Sequence, residues 1–322
     1  MKPFFSVIIP VYNKGRYLDR AVKSALNQSY ADLELILIDD ASSDESSDIS
    51  RGYKDERVRR FRRMRPGPGG YAARNLGISL ARGKWVCFLD ADDEWLQDHL
   101  AIVRKAVKEH PGCQGVSTGS YLQKEQSWVA DNYVRKHFES HVFELCEYLQ
   151  ARLKGLELIT TNTIALKRNF LTEGSLFPEG SALRGGDEAT WLKLFLQGMK
   201  MVRLPVPTAV YHLDADNMVT AKISNATGKH PVLSRVESVL PQLDDREVKR
   251  LLCRFANRKT IAWARVIKES KGIPLAQLKR LNFQGLDMYC VFAAMAMLFL
   301  PGLVFKQLIG GVKSQFWTRR FF

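Results

Sequence analysis

Cysteine is scarce in this sequence and never clustered. Cys87, Cys113, Cys146, Cys253 and Cys290 are the five in 322 residues. No Cys-x-x-Cys pair occurs and no histidine cluster lies near them, which argues against a zinc site or a disulfide framework and fits a reducing compartment. The N-terminal stretch Lys2-Pro3-Phe4-Phe5-Ser6-Val7-Ile8-Ile9-Pro10 lacks the long apolar core and small-residue cleavage site of a secretory signal and reads as a buried strand. A cytoplasmic protein is expected. The familiar glycine-rich phosphate motifs are missing as well. The first strand runs into Tyr12-Asn13-Lys14-Gly15, neither Gly-x-Gly-x-x-Gly nor Gly-x-x-x-x-Gly-Lys, which argues against a dinucleotide enzyme or an NTPase. There is no internal repeat and no low-complexity tract.

Positive charge is present in excess but confined. The net charge is +14, and residues 222–322 carry +12 of it, from 18 basic against 6 acidic side chains. Residues 1–221, with 30 basic and 28 acidic side chains, are nearly neutral. One-sided charge of this kind points to an anionic partner, nucleic acid or acidic lipid. Arg250, Arg254, Arg258, Lys259 and Arg265 have the spacing of a basic helix face, but no nucleic-acid module accompanies them. That face is expected to be solvated or turned to anionic lipid, and the run Arg57–Arg65 to be a solvated strand edge.

The first ~120 residues alternate short apolar runs with amphipathic stretches, the pattern of βαβ units around a mostly parallel sheet. Strands are predicted at 7–11, 33–38, 58–61 and 84–89. Helices are predicted at 17–28, after Ser43-Asp44, at 71–81 and at 95–108. Residues 123–157 read as an irregular excursion. A strand-like run at 158–166, a helix at 189–196 and strands at 201–204 and 209–212 close the domain.

Ligands of open α/β sheets sit outside the carboxyl ends of the strands, and the polar clusters here follow strands. Asp90-Ala91-Asp92-Asp93 follows Trp85-Val86-Cys87-Phe88-Leu89. Two carboxylates one residue apart at a strand mouth suit Mg²⁺ or Mn²⁺ bridging to a diphosphate. An acidic turn that merely caps the next helix would look similar, but the position after a buried strand favours the metal reading. Asp93 is a candidate N-cap either way. Asp39-Asp40 ends the second strand, with Asp40 read as a ligand contact and Ser43 and Asp44 as caps. The loop Pro66-Gly67-Pro68-Gly69-Gly70, with Arg74 and Asn75, either closes over a diphosphate or is a simple flexible connection. Asp187, after Gly185-Gly186, is either a general base or a helix cap.

Taken in order, Ser6-Val-Ile-Ile-Pro-Val-Tyr-Asn13, Leu35-Ile-Leu-Ile-Asp39-Asp40-Ala-Ser42-Ser-Asp44, Gly70-Tyr-Ala-Ala-Arg74-Asn75-Leu-Gly77-Ile78, Phe88-Leu-Asp90-Ala-Asp92-Asp93 and Gly186-Asp187-Glu188 with Trp191 closely resemble glycosyltransferase family 2. These are inverting enzymes of the GT-A fold, and the resemblance spans about residues 4–215. It implies an α/β, Rossmann-like, mostly parallel sheet flanked by helices. It implies that Pro10, Tyr12 and Asp40 line the nucleotide base, with Asp39 a lesser candidate. Asn13 and Gly70 join them within the donor-side motifs, and Arg74 and Asn75 lie towards the uridine and diphosphate. Asp90 would contact ribose or metal, Asp92 would ligate the metal, and Asp187 would be the base, with Glu188 its rival. The implied ligands are a divalent cation and a nucleotide-sugar, a UDP-sugar first. The implied acceptor is a glycan or lipid-linked hydroxyl.

Met288 to Phe305 is apolar throughout, at the short limit for spanning a bilayer, and Pro301-Gly302 weakens it as a continuous helix. Lys306, Lys313, Arg319 and Arg320 follow among Leu308, Ile309, Phe316, Trp317, Phe321 and Phe322, a composition suited to an interfacial anchor. The expected organisation is a catalytic domain over 1–220 and a basic, helical, membrane-associating region over 221–322. Peripheral attachment to the inner face of the cell membrane is expected, with no nucleic-acid partner. The alternatives are an inactive family member serving as a membrane scaffold, against which intact Asp90, Asp92 and Asp187 argue, or a sugar nucleotidyltransferase, whose glycine-rich first loop is missing.

Overall fold

Continuous apolar runs form the centre of the fold because both faces of the sheet are covered. In the computed structural model, which describes residues 2–124, 126–171, 174–180, 184–213, 229–271 and 274–300, β1 (Phe5–Val11) and β2 (Leu33–Asp39) are buried almost throughout. Parallel pairing joins them to each other, to β3 (Val58–Arg62) and to β4 (Trp85–Phe88). The sheet continues β3-β2-β1-β4-β9-β6-β10-β5. Here β5 is Glu94–Trp95, β6 Gly115–Lys124, β9 Ile164–Lys167 and β10 Met201–His212. β9 runs antiparallel between β4 and β6, whereas β6 and β10 are parallel. Two short strands, β7 (Ser127–Ala130) and β8 (His141–Phe143), extend β6 and β10 antiparallel.

The chain divides into two compact units. The first comprises Met1–Glu144, Leu158–Ser181 and Leu194–Asp216; the second comprises Leu145–Glu157, Ala182–Lys193 and Asn217–Phe322. In the first, α1 (Gly15–Leu26) buries Leu18, Ala21, Val22 and Ala25, the face its sequence spacing predicts. With α4 (His99–Glu109) it supplies Leu18, Val22, Leu100 and Val103 to a core shared with Val7, Ile9, Leu35 and Leu37. α2 (Ser46–Gly52) follows β2. α3 (Tyr71–Leu80) belongs to an aromatic cluster in which the Tyr71 and Phe177 rings stack 5.9 Å apart and Phe88 meets Phe177 edge-on at 5.4 Å.

Several local predictions are corrected. No helix starts at Trp95, because Glu94 and Trp95 pair with Val210 and Ala209, and the helix begins at His99. The two predicted strands at 201–212 are a single β10, bulged between Arg203 and Ala209 around Pro205 and Pro207. The strand predicted from Leu158 forms only from Ile164, after a 3₁₀ turn at Thr161–Thr163.

The second unit is helical. Its elements are α5 (Leu145–Leu153), α6 (Gly186–Leu196, as far as Lys193), α7 (Pro231–Val239), α8 (Arg246–Lys271), α9 (Leu275–Leu278) and α10 (Met288–Phe299). α8 is its spine and packs against α5, α7, α9 and α10. The basic face predicted there is only partly solvated: Arg250 is exposed, but the others are drawn in to different degrees. Arg265 is buried, and Arg258 donates to Asp287 Oδ2 at 2.8 Å, while Asp287 Oδ1 caps α10 by accepting from the Cys290 N–H at 2.9 Å. α10 ends at Phe299, and among the described residues no helix is long and apolar enough to cross a membrane. The rest of the apolar run, with Lys306, Lys313, Phe316, Trp317, Arg319 and Arg320, lies outside the described residues.

Candidate active site

The loops that leave β1, β2 and β4 at their carboxyl ends lock onto one another. Asn13 and Ala41 both hold left-handed backbone, with φ of 51° and 61°, and cross-bracing supports these uncommon conformations. Asn13 Oδ1 accepts from the Ser43 N–H at 2.8 Å, and the Asn13 N–H donates to Ser42 Oγ at 3.1 Å. The N-cap positions of α1 and α2 are Lys14 and Glu45, and the Asp44 carboxylate accepts the first N–H of each helix, from Gly15 at 3.0 Å and from Ser46 at 3.0 Å. Burial opposes ionisation of Asp44, yet these hydrogen bonds hold its carboxyl below the ordinary value. Asp44 thus serves the starts of both helices from outside their N-cap positions. Ser43 instead gives its N–H to Asn13.

Asp40 is buried at the end of β2, where its carboxylate pairs with the Arg63 guanidinium and accepts the Gly67 N–H at 3.0 Å. That contact fastens the glycine-rich loop to β2. Gly70, with φ of 69°, starts α3, and a Cβ there would stand 3.7 Å from Pro10 Cβ, so Pro10 and Gly70 are neighbours. Tyr12, two residues after Pro10, is 49% exposed. Asp39 is turned into its own loop, accepting the Ser42 N–H at 2.9 Å with Arg62 at 3.5 Å.

Asp90 and Asp92 each face a cation. Arg74 pairs with Asp90 and donates to the Gly69 carbonyl at 3.0 Å, while Lys14 Nζ lies 2.8 Å from Asp92. Asn162 positions this turn: its Oδ1 accepts the Asp90 N–H at 2.8 Å, its amide donates to Asp93, and its carbonyl accepts Trp95 Nε1–H at 2.7 Å. Asp93 is no helix cap. It is buried and also accepts the His212 N–H at 2.9 Å. Burial first, then the charges of Asp92 and Asp90, push its carboxyl well above the usual range. Asn75 is spent on structure, exchanging two hydrogen bonds of 2.9 and 3.0 Å with the Phe177 backbone.

Among the described residues no group of three or more His, Cys, Asp or Glu side chains is placed to hold a metal ion. Asp90 and Asp92, on one turn and partly open to solvent, fit a hard cation that takes one or two carboxylates and fills its shell with phosphate oxygens and water. Lys14, Arg63 and Asn162 were not assigned roles by sequence reasoning. β3 is the edge strand of the sheet, with Arg60, Arg62 and Arg65 exposed as the reading of Arg57–Arg65 expects; Arg59, paired with the buried Glu34, and Arg63, paired with Asp40, are the exceptions.

In the second unit, Asp187 sits inside the first turn of α6, which begins at Gly186 rather than Ala189. It is therefore not the residue that caps the helix; both it and Glu188 favour the helix start electrostatically. Glu188 accepts from Arg152 Nη2 at 2.7 Å and pairs with Lys259, and His230 Nε2 is 4.0 Å away. Burial opposes its charge, but Lys259, Arg152 and His230 hold its carboxyl down to about 2.

The family model described as glycosyl transferase family 2 matches residues 6–170, half of the chain. The chain belongs to that family. A Bacillus subtilis (strain 168) member named for teichuronic acid biosynthesis, TuaG, is 32% identical over 66% of this chain and 80% of its own length. The Campylobacter jejuni GalNAc(5)-diNAcBac-PP-undecaprenol beta-1,3-glucosyltransferase is 25% identical over 88% of this chain and 89% of its own. Matches to Rickettsia family proteins span about 30% of their length. Staphylococcus aureus TarS 1-349, solved with UDP-GlcNAc, superposes with a TM-score of 0.71 at 16% identity, covering 95% of this family 2 chain and 92% of its own. That likeness shows the GT-A fold expected from the motifs.

Proposed function

We propose that this family 2 chain transfers a sugar from a nucleoside diphosphate, UDP first, to a hydroxyl of a glycan or lipid-linked acceptor, with inversion. The observation that carries this reading is the arrangement at the carboxyl ends of β1, β2 and β4: buried Asp40, whose N–H donates to the carbonyl of Val11 at the end of β1, and Asp90 and Asp92 each opposite a cation. Asp40, with Pro10 and Tyr12, accommodates the base and ribose. Arg74 and Lys14 lie beside the acidic turn and provide positive charge for a diphosphate. Asp90 and Asp92 would hold Mg²⁺ or Mn²⁺, which neutralises charge on the departing diphosphate.

Asp187 removes the proton from the acceptor hydroxyl. The acceptor oxygen forms its bond to the anomeric carbon as the bond to the diphosphate oxygen breaks, and that electron pair leaves with the nucleoside diphosphate. A single displacement inverts the anomeric centre.

An acceptor at the membrane is supported by α10, where Met288, Phe292, Met295 and Phe299 form an apolar stripe 50 to 76% exposed. Lys279 and Arg280 are exposed nearby in sequence. Such a face suits the interface of an anionic bilayer, at the inner leaflet in this reading. The test is nucleoside diphosphate release from UDP-, GDP- and dTDP-sugars with Mn²⁺, Mg²⁺ or EDTA, with and without membrane lipid extract. Metal-dependent release from one donor, stimulated by extract, is expected; failure to bind or turn over any donor would refute the reading.

A further inference from the structure

The basic residues of α8 carry more than surface charge. Lys259 points inward to Glu188, one residue after the candidate base, and Arg152 of α5 reaches the same Glu188 oxygen at 2.7 Å. Arg152 also bridges Glu157 at 2.9 Å and donates to the Leu156 carbonyl at 2.9 Å, which ties the end of α5 into the cluster. His230, just before α7, accepts the Val232 N–H on Nδ1 at 3.2 Å and packs edge-on against Trp263 at 5.0 Å. Gly185 has φ of 73°, and a Cβ there would sit 2.6 Å from His230 Nε2. The turn leading into Asp187 is thus seated directly on that imidazole.

Three elements therefore grip the segment 185–188: α5 through Arg152, α8 through Lys259, and the start of α7 through His230. The charges inside are balanced, Arg152 and Lys259 against Glu157 and Glu188. Burial keeps His230 low, at about 4, with Lys259 and Arg184 acting in the same direction and Glu188 against it, so the imidazole is neutral near pH 7. Burial pushes the Tyr148 phenol up, with the charges of Arg152, Glu188, Glu157 and Asp187 acting on it as well; Asp187, one residue before Glu188 in the first turn of α6, lies next to the same cluster.

We propose that Lys259 and Arg152 are positioning residues for Asp187: by clamping Glu188 they fix the first turn of α6 and set the charge that the Asp187 carboxylate feels. The inference rests on the reading of Asp187 as the base. Nothing in the linear pattern marks it, since Lys259 stands 71 residues beyond Glu188 within an apparently surface-facing basic stripe.

The test is the titration of the Asp187 carboxyl by NMR, in the full chain labelled with carboxyl carbon-13 aspartate. The signal is identified by its loss in Asp187→Asn. Lys259→Met leaves the cluster with net negative charge and raises the proton affinity of Asp187 at least about tenfold, as one unit charge within about 12 Å does at an effective dielectric near ~20. Glu188→Gln leaves net positive charge and lowers the affinity by a similar factor, while Lys259→Arg restores the wild-type midpoint. General loosening of the turn would not move the midpoint in opposite directions. Unmoved midpoints in Lys259→Met and Glu188→Gln overturn the proposal, and if Lys259→Met does not fold, the direction in Glu188→Gln decides alone. Nucleoside diphosphate release by Asp187→Asn separates the two ideas. Retained turnover removes the base reading and the positioning role with it, whereas an inactive variant with unmoved midpoints removes only the positioning role.

Discussion

On the turn after β4, Asp93 loses its solvent beside two other carboxylates; in the first turn of α6, Glu188 loses its solvent beside two cations. Both are penalised by burial in the charged state, yet Asp93 is pushed well above the ordinary carboxyl range and Glu188 is held down to about 2. The difference lies in what was buried with each. Asp93 has hydrogen-bond donors, the Asn162 amide and the His212 N–H, but Arg74 and Lys14 pair with its neighbours Asp90 and Asp92 instead. Glu188 has Arg152 and Lys259 to itself and Glu157. The first turn places Asp90 and Asp92 at partly open positions, each beside its own cation. The second fixes a charge in the interior, held by Arg152 and Lys259.

The most severe way to break this contrast is to remove a cation from Glu188. Arg152→Met leaves the buried Glu188 with Lys259 alone and Glu157 without its arginine, and losing one partner of such a cluster costs about 3–5 kcal/mol. Urea unfolding of the variant against wild type measures it through the midpoint at unchanged slope. A loss under about 1 kcal/mol would mean that water reaches Glu188 and that the comparison with Asp93 does not hold.

A smaller effect appears in acid. Glu188 has a folded value of about 2 against an ordinary 4.5, so between those values the unfolded chain binds more protons than the native one. The stability that Glu188 contributes is complete above about pH 4.5 and is lost as the pH falls towards 2. Glu188→Gln should therefore show a shallower fall in Tm across that window than wild type, with the two curves parallel above it. An equal acid slope in both would place the lost protons elsewhere.

The donor side was the more legible of the two regions, for a physical reason. Its residues sit at strand ends, so the alternation of apolar runs and polar clusters that predicts β1, β2 and β4 also predicts where Pro10, Asp40, Asp90 and Asp92 emerge. What escaped was anything set by long-range contact. Asn162 steers Asp90 and Asp93 from about 70 residues away, and Arg63 reaches Asp40 from within a run of arginines that looks like solvated edge. The same limit hid the cluster around Glu188, whose members come from α5, α6 and α8. Trp95 was misread because periodicity over 95–108 extends naturally back from α4, whereas its pairing with Ala209 is invisible along the chain.

The role of Asn162 supplies a third, milder test. Asn162→Ala takes one donor from Asp93 and the acceptor from the Asp90 N–H, leaving buried polar groups unmatched at a cost of about 2 kcal/mol. Because the turn then loses its brace, Mn²⁺-dependent nucleotide binding, read by calorimetry, should weaken as well. Stability lost with binding unchanged would make Asn162 a core residue with no part in the site.

The smallest expected change calibrates the rest. Arg51 and Asp48 form an ion pair on α2 with side chains 65% and 74% exposed, the same chemistry as Arg152 with Glu188 but in water. Exposed pairs of this kind contribute up to about 0.5 kcal/mol, and salt screens even that. Arg51→Ala should leave the urea midpoint within error of wild type, at low and at high ionic strength. Were it to cost as much as Arg152→Met, the contact itself would be what stabilises this chain, and burial beside cations would lose its standing as the cause that separates Glu188 from Asp93.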